Sequence, residues 1–333
     1  MNKRWAIRDI ADHEEVKSLA AVLNIDPVLS ALLVSRGITT YDEARLFFRP
    51  DHRHLHDPFL MKDMERAVLR IEEAISAGEK VLIYGDYDVD GTTSVAVVYS
   101  FFKKIYDHLE YYIPDRYLEG YGISFKAIDY AAENGFTLII ALDCGIKSVD
   151  KVDYANERSI DFIICDHHLP GDKLPDAVAI LDPKRPDCEY PYKELSGCGI
   201  GFKLIQAFAE KNDLPFEDVT CYLDLVCISI ACDIVHINGE NRVLAHLGLQ
   251  KINADPCIGV KILMEVAGKG NFYTISDVVF LLGPRINAAG RIGDAKNAVA
   301  LLIATDEEEA KEKSLLINVQ NTERKRARPF DNR

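Results

Sequence analysis

No run of about 18 consecutive apolar residues occurs, so no segment can cross a bilayer as a single helix. The first residues, Met1-Asn2-Lys3-Arg4-Trp5, lead into alternating charges instead of the apolar stretch of a signal peptide. None of the eight cysteines forms a Cys-x-x-Cys pair, which argues against structural zinc, and eight in 333 residues are too few for a disulfide scaffold. Reduced thiols without an export signal point to the cytoplasm. Three cysteines adjoin an aspartate (Asp143-Cys144, Cys165-Asp166, Cys232-Asp233); they suit small packing residues at element ends better than thiolate metal ligands. Internal repeats are absent. Positive charge is scarce: 39 Lys and Arg face 53 Asp and Glu, a formal net charge of −14. At face value this opposes a polyanionic substrate, because nucleic-acid binders usually present a basic face. What the chain does have is a 48% hydrophobic share, ample for a core, and length for two domains or one large domain with an appendage.

The apolar spacing divides the chain. Residues 1–60 form a helical N-terminal segment, with helical periodicity over 16–23, 27–36 and 41–48, a C-cap at Gly37 and a stop at Pro50. His52, His54 and His56 alternate in the following link; the spacing could bind metal, but loop histidines packed one by one are the simpler reading. Over 61–195, strands at 81–84, 111–113, 138–142, 162–165 and 178–181 alternate with helices at 64–77, 91–106, 124–134 and 149–158. This means βαβ units, hence an α/β fold with a parallel β-sheet flanked by helices. Residues 196–304 turn all-helical (201–211, 216–231, 241–252, 258–267, 275–282, 295–303). Residues 305–333 begin a long helix, with Thr305 as N-cap, an acidic first turn, and the basic run Arg324-Lys325-Arg326-Ala327-Arg328 near its end.

The acidic residues fall where such sheets build their sites, beyond the carboxyl ends of the strands. Strand 81–84 runs into Gly85-Asp86-Tyr87-Asp88-Val89-Asp90-Gly91, strand 138–142 into Asp143-Cys144-Gly145, and strand 162–165 into Asp166-His167-His168. A fourth acid, Asp233, ends the apolar helix over 216–231. Three aspartates at period two on one strand-to-helix turn repel one another unless cations lie among them. Carboxylates with one or two imidazoles suit Mn²⁺ or Mg²⁺, with Zn²⁺ or Fe²⁺ possible, and there are enough to hold two ions for phosphoryl hydrolysis. The blander reading has Asp86 capping a helix and His167 or His168 packed in a loop. A dinucleotide site would need Gly-x-Gly-x-x-Gly after the first strand, and the carboxylates here would repel a pyrophosphate.

At these residues the sequence resembles the DHH phosphoesterase superfamily. Asp166-His167-His168 matches its name-giving motif, GDYDVDGTTS (85–94) its first motif, LDCG (142–145) its second and ACDIV (231–235) its fourth. Within it, GPRINAAGRIGDA (283–295), SGCGIGFKL (196–204) and FFRPDHRHLHDPFLMKDMERAVLRI (47–71) are similar to the RecJ family of 5′→3′ single-strand exonucleases. The resemblance implies a metal-dependent hydrolase that releases 5′-mononucleotides from single-stranded DNA in recombination and repair. It implies two divalent cations, Mn²⁺ before Mg²⁺, held by Asp86, Asp88, Asp90, Asp143, His167 and Asp233. Asp166 would orient the histidines and His168 would face the scissile phosphate. Arg285, Asn287 and Arg291 would grip phosphate, and Thr92, Thr93 and Ser94 could meet one or merely cap their helix. Single-stranded DNA is the implied partner, with a single-strand-binding protein and a helicase beside it, and no membrane.

Full-length members of that family continue into a DHH-associated domain and an OB-like domain, so the chain resembles a catalytic core that stops in the connecting helix. On that expectation it binds metal and degrades DNA weakly. Two other readings compete: a DHH phosphodiesterase for short oligonucleotides or cyclic dinucleotides, and a fork scaffold that has lost its metal ligands. The ligand set disfavours the scaffold. Six of the acidic charges gather at the proposed site, and two divalent ions would move the net charge from −14 to −10. The acidic total therefore does not exclude DNA.

Overall fold

The structure is a computed structural model and describes residues 13–292 and 294–327. The opening Met1-to-Trp5 segment and Arg328 of the basic run lie outside the described residues. The chain divides into two units, Met1–His54 and Leu55–Arg333.

In the first unit, helices His13–Leu23, Pro27–Val34 and Tyr41–Phe48 enclose a small core of Val16, Leu19, Leu33, Val34, Ile38 and Ala44. Thr40 and Glu43 form a reciprocal capping box that starts the third helix. His54 Nδ1 accepts from the Asp51 amide at 3.1 Å, a local turn contact.

The second unit is built on five parallel strands, β1 (Lys80–Gly85), β2 (Leu109–Tyr112), β3 (Phe136–Leu142), β4 (Asp161–Cys165) and β5 (Ala179–Leu181), in the order β2-β1-β3-β4-β5. Near-continuous apolar strands are what a sheet covered on both faces requires. Successive residues supply opposite faces. Val81, Ile83, Leu138, Ile140 and Ile163 join one core with the helices Met64–Ala77, Val89–Lys103 and Gly197–Lys211. Leu82, Tyr84, Ile139, Ala141 and Ile164 join the other with Phe125–Glu133 and Val149–Asn156. The helices beyond residue 196 share the first of these cores.

The register matters most for function. Gly85 pairs with Leu142, and Leu142 with Cys165, so β1, β3 and β4 end level with one another. The residues that follow, Asp86, Asp143 and Asp166, therefore start from one height. The Asp143 amide donates to Cys165 O at 2.8 Å and the Asp166 amide to Leu181 O at 3.0 Å, which prolongs the ladder by one residue. The chain leaves β1 for β2 on one side and takes up β3 on the other, so this edge is also the topological switch point.

Several boundaries differ from the sequence expectation. The helix expected over 91–106 spans Val89–Lys103, because Asp88 caps it by accepting from Gly91 N at 3.0 Å, and so Asp90 lies inside its first turn. The 216–231 helix is two, Glu217–Thr220 and Leu223–Cys232. The 275–282 helix is one turn, Ile275–Asp277, followed by the wider π-helical Val278–Leu282, which runs into Gly283–Ile292. The last helix, Glu307–Ala327, is capped by Asp306, whose Oδ1 accepts from Glu308 N and Glu309 N at 2.9 and 3.0 Å, and not by Thr305. Asp306→Ala should accordingly cost about 1 kcal/mol in denaturant unfolding, and Thr305→Ala should cost far less.

Candidate metal centre

The side chains of the cluster are presented by several strand ends and helix ends. Asp143 follows β3 with a φ of +59°, a left-handed turn that Asp tolerates better than most residues. His167 and His168 follow β4, and Asp233 closes the helix Leu223–Cys232. These elements bring His167 Nε2 to 3.2 Å from Asp143 Oδ1, 3.5 Å from Asp233 Oδ2 and 3.8 Å from Asp90 Oδ2. Two sets of ligand atoms converge here: Asp143, His167 and His168 in one, and Asp90, His167 and Asp233 in the other, each within 4.8 Å. They share His167, whose Nε2 faces Asp90, Asp143 and Asp233 alike and has one lone pair, enough for one cation.

The fit to cations rests on polar atoms that the protein leaves without partners. Asp86 Oδ1 and Oδ2, Asp143 Oδ1 and Asp233 Oδ2 are all buried and accept no hydrogen bond. Such groups are costly in a fold unless something else satisfies them, and oxygen-rich donors with one imidazole suit Mn²⁺ and Mg²⁺. Burial, reinforced by neighbouring carboxylates, pushes Asp86 up to about 7 and Asp233 up to about 8, and Asp143 well above the ordinary range. Asp88 is raised by burial and by the charge of Asp90. Asp86 and Asp88 stand outside the two converging sets, and Asp88 spends one oxygen on its helix cap.

Asp90 is held from behind. Its Oδ2 accepts from Gly197 N at 2.7 Å, and its Oδ1 accepts from Cys198 N at 2.8 Å and Ser229 Oγ at 2.7 Å. The N-terminus of Gly197–Lys211 thus neutralises part of this carboxylate. Gly197 also lies so close to Asp143 that a Cβ on it would meet the Asp143 Cβ at 2.6 Å. This cage, the role of the Gly-rich segment, was not derivable from the residues alone. The hydroxyls of Thr92, Thr93 and Ser94 turn back to the carbonyls of Asp88, Val89 and Asp90, which removes them as phosphate contacts. His56 stands apart: its amide donates to Glu240 Oε1 at 3.1 Å and its carbonyl accepts from Lys203 Nζ at 2.6 Å.

Asp166 behaves as an orienting group. Its Oδ1 accepts from the amides of His167 and His168 at 2.8 and 3.2 Å and bonds His168 Nδ1 at 2.7 Å, while its Oδ2 accepts from Ile146 N at 2.9 Å. These bonds hold Asp166 below the usual carboxylate range, and the same contact raises His168. The other imidazole nitrogen, Nε2, lies 3.2 Å from the Tyr121 hydroxyl. Tyr121 was missed by sequence reasoning; it sits in a loop with no motif of its own. A cavity of about 300 Å³ opens between Tyr121, Lys147, Ser148 and His168.

The expected phosphate grip is only partly gathered. Arg291 is exposed, bonds Asn287 Oδ1 at 3.1 Å, and its carbonyl accepts from Tyr117 OH at 2.8 Å. Arg285 is committed elsewhere: its Nη1 donates to Leu281 O at 2.6 Å and its Nε to Asn318 Oδ1 at 3.1 Å, on the final helix. Helical spacing explains the split, since residues 285 and 291 are six apart, about 240° around the axis.

Comparison with known proteins fits this geometry. The DHH family, N-terminal domain, matches residues 80–230. The single-stranded-DNA-specific exonuclease RecJ of Bacillus subtilis is 43% identical over 327 residues, covering 97% of this chain and 40% of that protein. RecJ of Escherichia coli is 33% identical over 324 residues, covering 94% and 55%. A crystal structure of exonuclease RecJ bound to manganese superposes with a TM-score of 0.74 at 30% identity, over 80% of this chain and 67% of that one. RecJ from Thermus thermophilus in complex with Mn²⁺ gives 0.82 at 26% identity, over 97% and 46%. The chain spans about half the length of the curated relatives it matches.

Proposed function

This chain belongs to the RecJ branch of the DHH family, and on that premise we propose that it carries the catalytic centre of a metal-dependent exonuclease. It hydrolyses single-stranded DNA from the 5′ end, releases 5′-mononucleotides, and serves recombination and repair in the cytoplasm. A single-strand-binding protein and a helicase are the partners that role requires. The observation that carries the reading is the set of partnerless buried carboxylate oxygens of Asp86, Asp143 and Asp233 gathered where β1 and β3 end level, with His167 Nε2 facing Asp143 and Asp233.

Asp90, Asp143, His167 and Asp233, with Asp86 and Asp88 beside them, hold two divalent cations, Mn²⁺ preferred and Mg²⁺ accepted. When bound, the cations activate water and polarise the scissile phosphate. Asp90, caged by Gly197, Cys198 and Ser229, keeps its charge in place. Asp166 fixes the ring of His168, whose Nε2 gives up Tyr121 to donate its one proton to a phosphate oxygen or to the leaving oxygen. Arg291, with Asn287, meets a phosphate of the strand. Arg285 anchors its helix to the final helix through Asn318.

A long 5′-phosphorylated single strand labelled at either end tests this under Mn²⁺, beside dinucleotides, cyclic dinucleotides and pyrophosphate. Mononucleotides released from the 5′ end, with none in a chelator, are expected. Turnover of the small substrates alone would replace this reading with that of a short-oligonucleotide or cyclic-dinucleotide phosphodiesterase.

A further inference from the structure

The helix Gly283–Ile292 abuts two of the segments that carry proposed ligands, the turn after β1 and the end of helix Leu223–Cys232, through glycine. A Cβ on Gly290 would lie 2.2 Å from the carbonyl oxygen of Tyr87, the residue between Asp86 and Asp88. A Cβ on Gly283 would lie 2.4 Å from Sγ of Cys232, the neighbour of Asp233. The two glycines are seven apart, two turns of helix, so they share one face. Gly283 also follows the π-helical turn Val278–Leu282, an irregularity that resets the phase of the helix just before this face begins. At the other end Tyr117 OH grips the Arg291 carbonyl at 2.8 Å.

We infer that Gly283 and Gly290 are positioning residues, two side-chain-free seats that fix the distance from Arg291 and Asn287 to the metal centre. The inference rests on the function proposed above and deepens it. The helix cannot approach the loops more closely, and no side chain intervenes whose rotation could blur the spacing. Both seats bear on residues next to proposed ligands, so the phosphate grip and the cation site form one rigid gauge. A methyl group at either seat forces the helix outward. The guanidinium then shifts while Asp86 keeps its place at the end of β1, Asp88 its helix-capping bond to Gly91 N and Asp233 its place at the end of its helix.

Gly283→Ala and Gly290→Ala, each in the full chain, test this by three readouts: Mn²⁺ binding by calorimetry, KM and kcat on the 5′-phosphorylated strand, and thermal unfolding. Mn²⁺ stoichiometry should be unchanged, and kcat/KM should fall by about 10²-fold, the cost of a displacement near 1 Å. Adding Cys232→Ala should restore most of the loss in Gly283→Ala, because the obstacle there is a side-chain sulfur. Adding Tyr87→Ala should not restore Gly290→Ala, because the obstacle is a backbone oxygen. Unchanged kcat/KM in both variants, a fall in kcat/KM accompanied by loss of Mn²⁺ binding, or failure of Cys232→Ala to rescue would each overturn the inference. Absence of Mn²⁺ binding in the unsubstituted chain is a different result, which defeats the proposed function itself.

Discussion

Asp143→Asn is expected to abolish Mn²⁺ binding and lower hydrolysis by about 10³-fold while making the metal-free protein more stable. The two effects share one cause. Asp143 is buried among Asp90, Asp88, Asp166 and Asp233, and burial followed by those charges raises its proton affinity far above normal. Removing its charge removes repulsion and desolvation, and with them the attraction for a cation. Asparagine is the right replacement because the backbone there has a φ of +59°, which Asn accepts readily and alanine does not. Asp143→Ala should lose metal equally but forfeit about 1 kcal/mol of the stability gain. Melting curves in chelator, beside calorimetric Mn²⁺ titration, check both; a lower melting temperature for Asp143→Asn would show that the carboxylate holds the apo-fold together.

The same charges set the pH response. Asp86, at about 7, and Asp233, at about 8, lie far above the value of about 3.9 for an unfolded aspartate. A carboxyl raised on folding favours the folded state while it stays protonated. Its contribution is full below about pH 4 and is lost as pH climbs through 7 and 8. Asp182, pushed to about 7 by burial, adds the same sign. His167, lowered by burial, opposes it only below about pH 6.5, so the fall is steepest between about pH 6.5 and 7 and ends near pH 8, where Asp233 alone still titrates. Mn²⁺ binds the deprotonated cluster and should reverse the trend, so the melting-temperature gain on adding Mn²⁺ should grow across that interval. A gain independent of pH would place the cation elsewhere.

The strand-to-loop transitions at 85–91, 142–145 and 165–168 were legible because each needs only local evidence: an apolar run, then acids at its carboxyl end. Their meeting was inferable because βαβ units align such ends. What stayed hidden depends on distance across the fold. Nothing in the string of residues puts Ser229 and the amides of Gly197 and Cys198 around Asp90. Nor does it turn Arg285 toward Asn318, thirty-three residues on. Helix starts were misplaced where two acceptors adjoin, as at Thr305 and Asp306, since either can cap and only the backbone angle decides. Tyr121 comes from a turn-rich loop of ordinary composition and acquires its place only through His168.

His168→Ala should leave Mn²⁺ bound and cut kcat by about 10²- to 10³-fold, the range for loss of a positioned acid. The outcome is informative because His168 has two possible duties. Its ligand atoms converge with Asp143 and His167, yet its Nδ1 is already spent on Asp166 at 2.7 Å and its Nε2 faces Tyr121 at 3.2 Å. A ring so committed, and half-exposed where its neighbour is buried, is placed to meet substrate rather than metal. Asp166 raises the His168 pKa, so activity that needs the protonated ring should persist to higher pH than a free histidine would allow and then decline. Asp166→Asn removes the charge behind that effect and should move the alkaline limb of kcat downward. Tyr121→Phe leaves Asp166 in place and should hardly move it. Loss of Mn²⁺ in His168→Ala, or an alkaline limb indifferent to Asp166→Asn, would make His168 a ligand and return the proton to water.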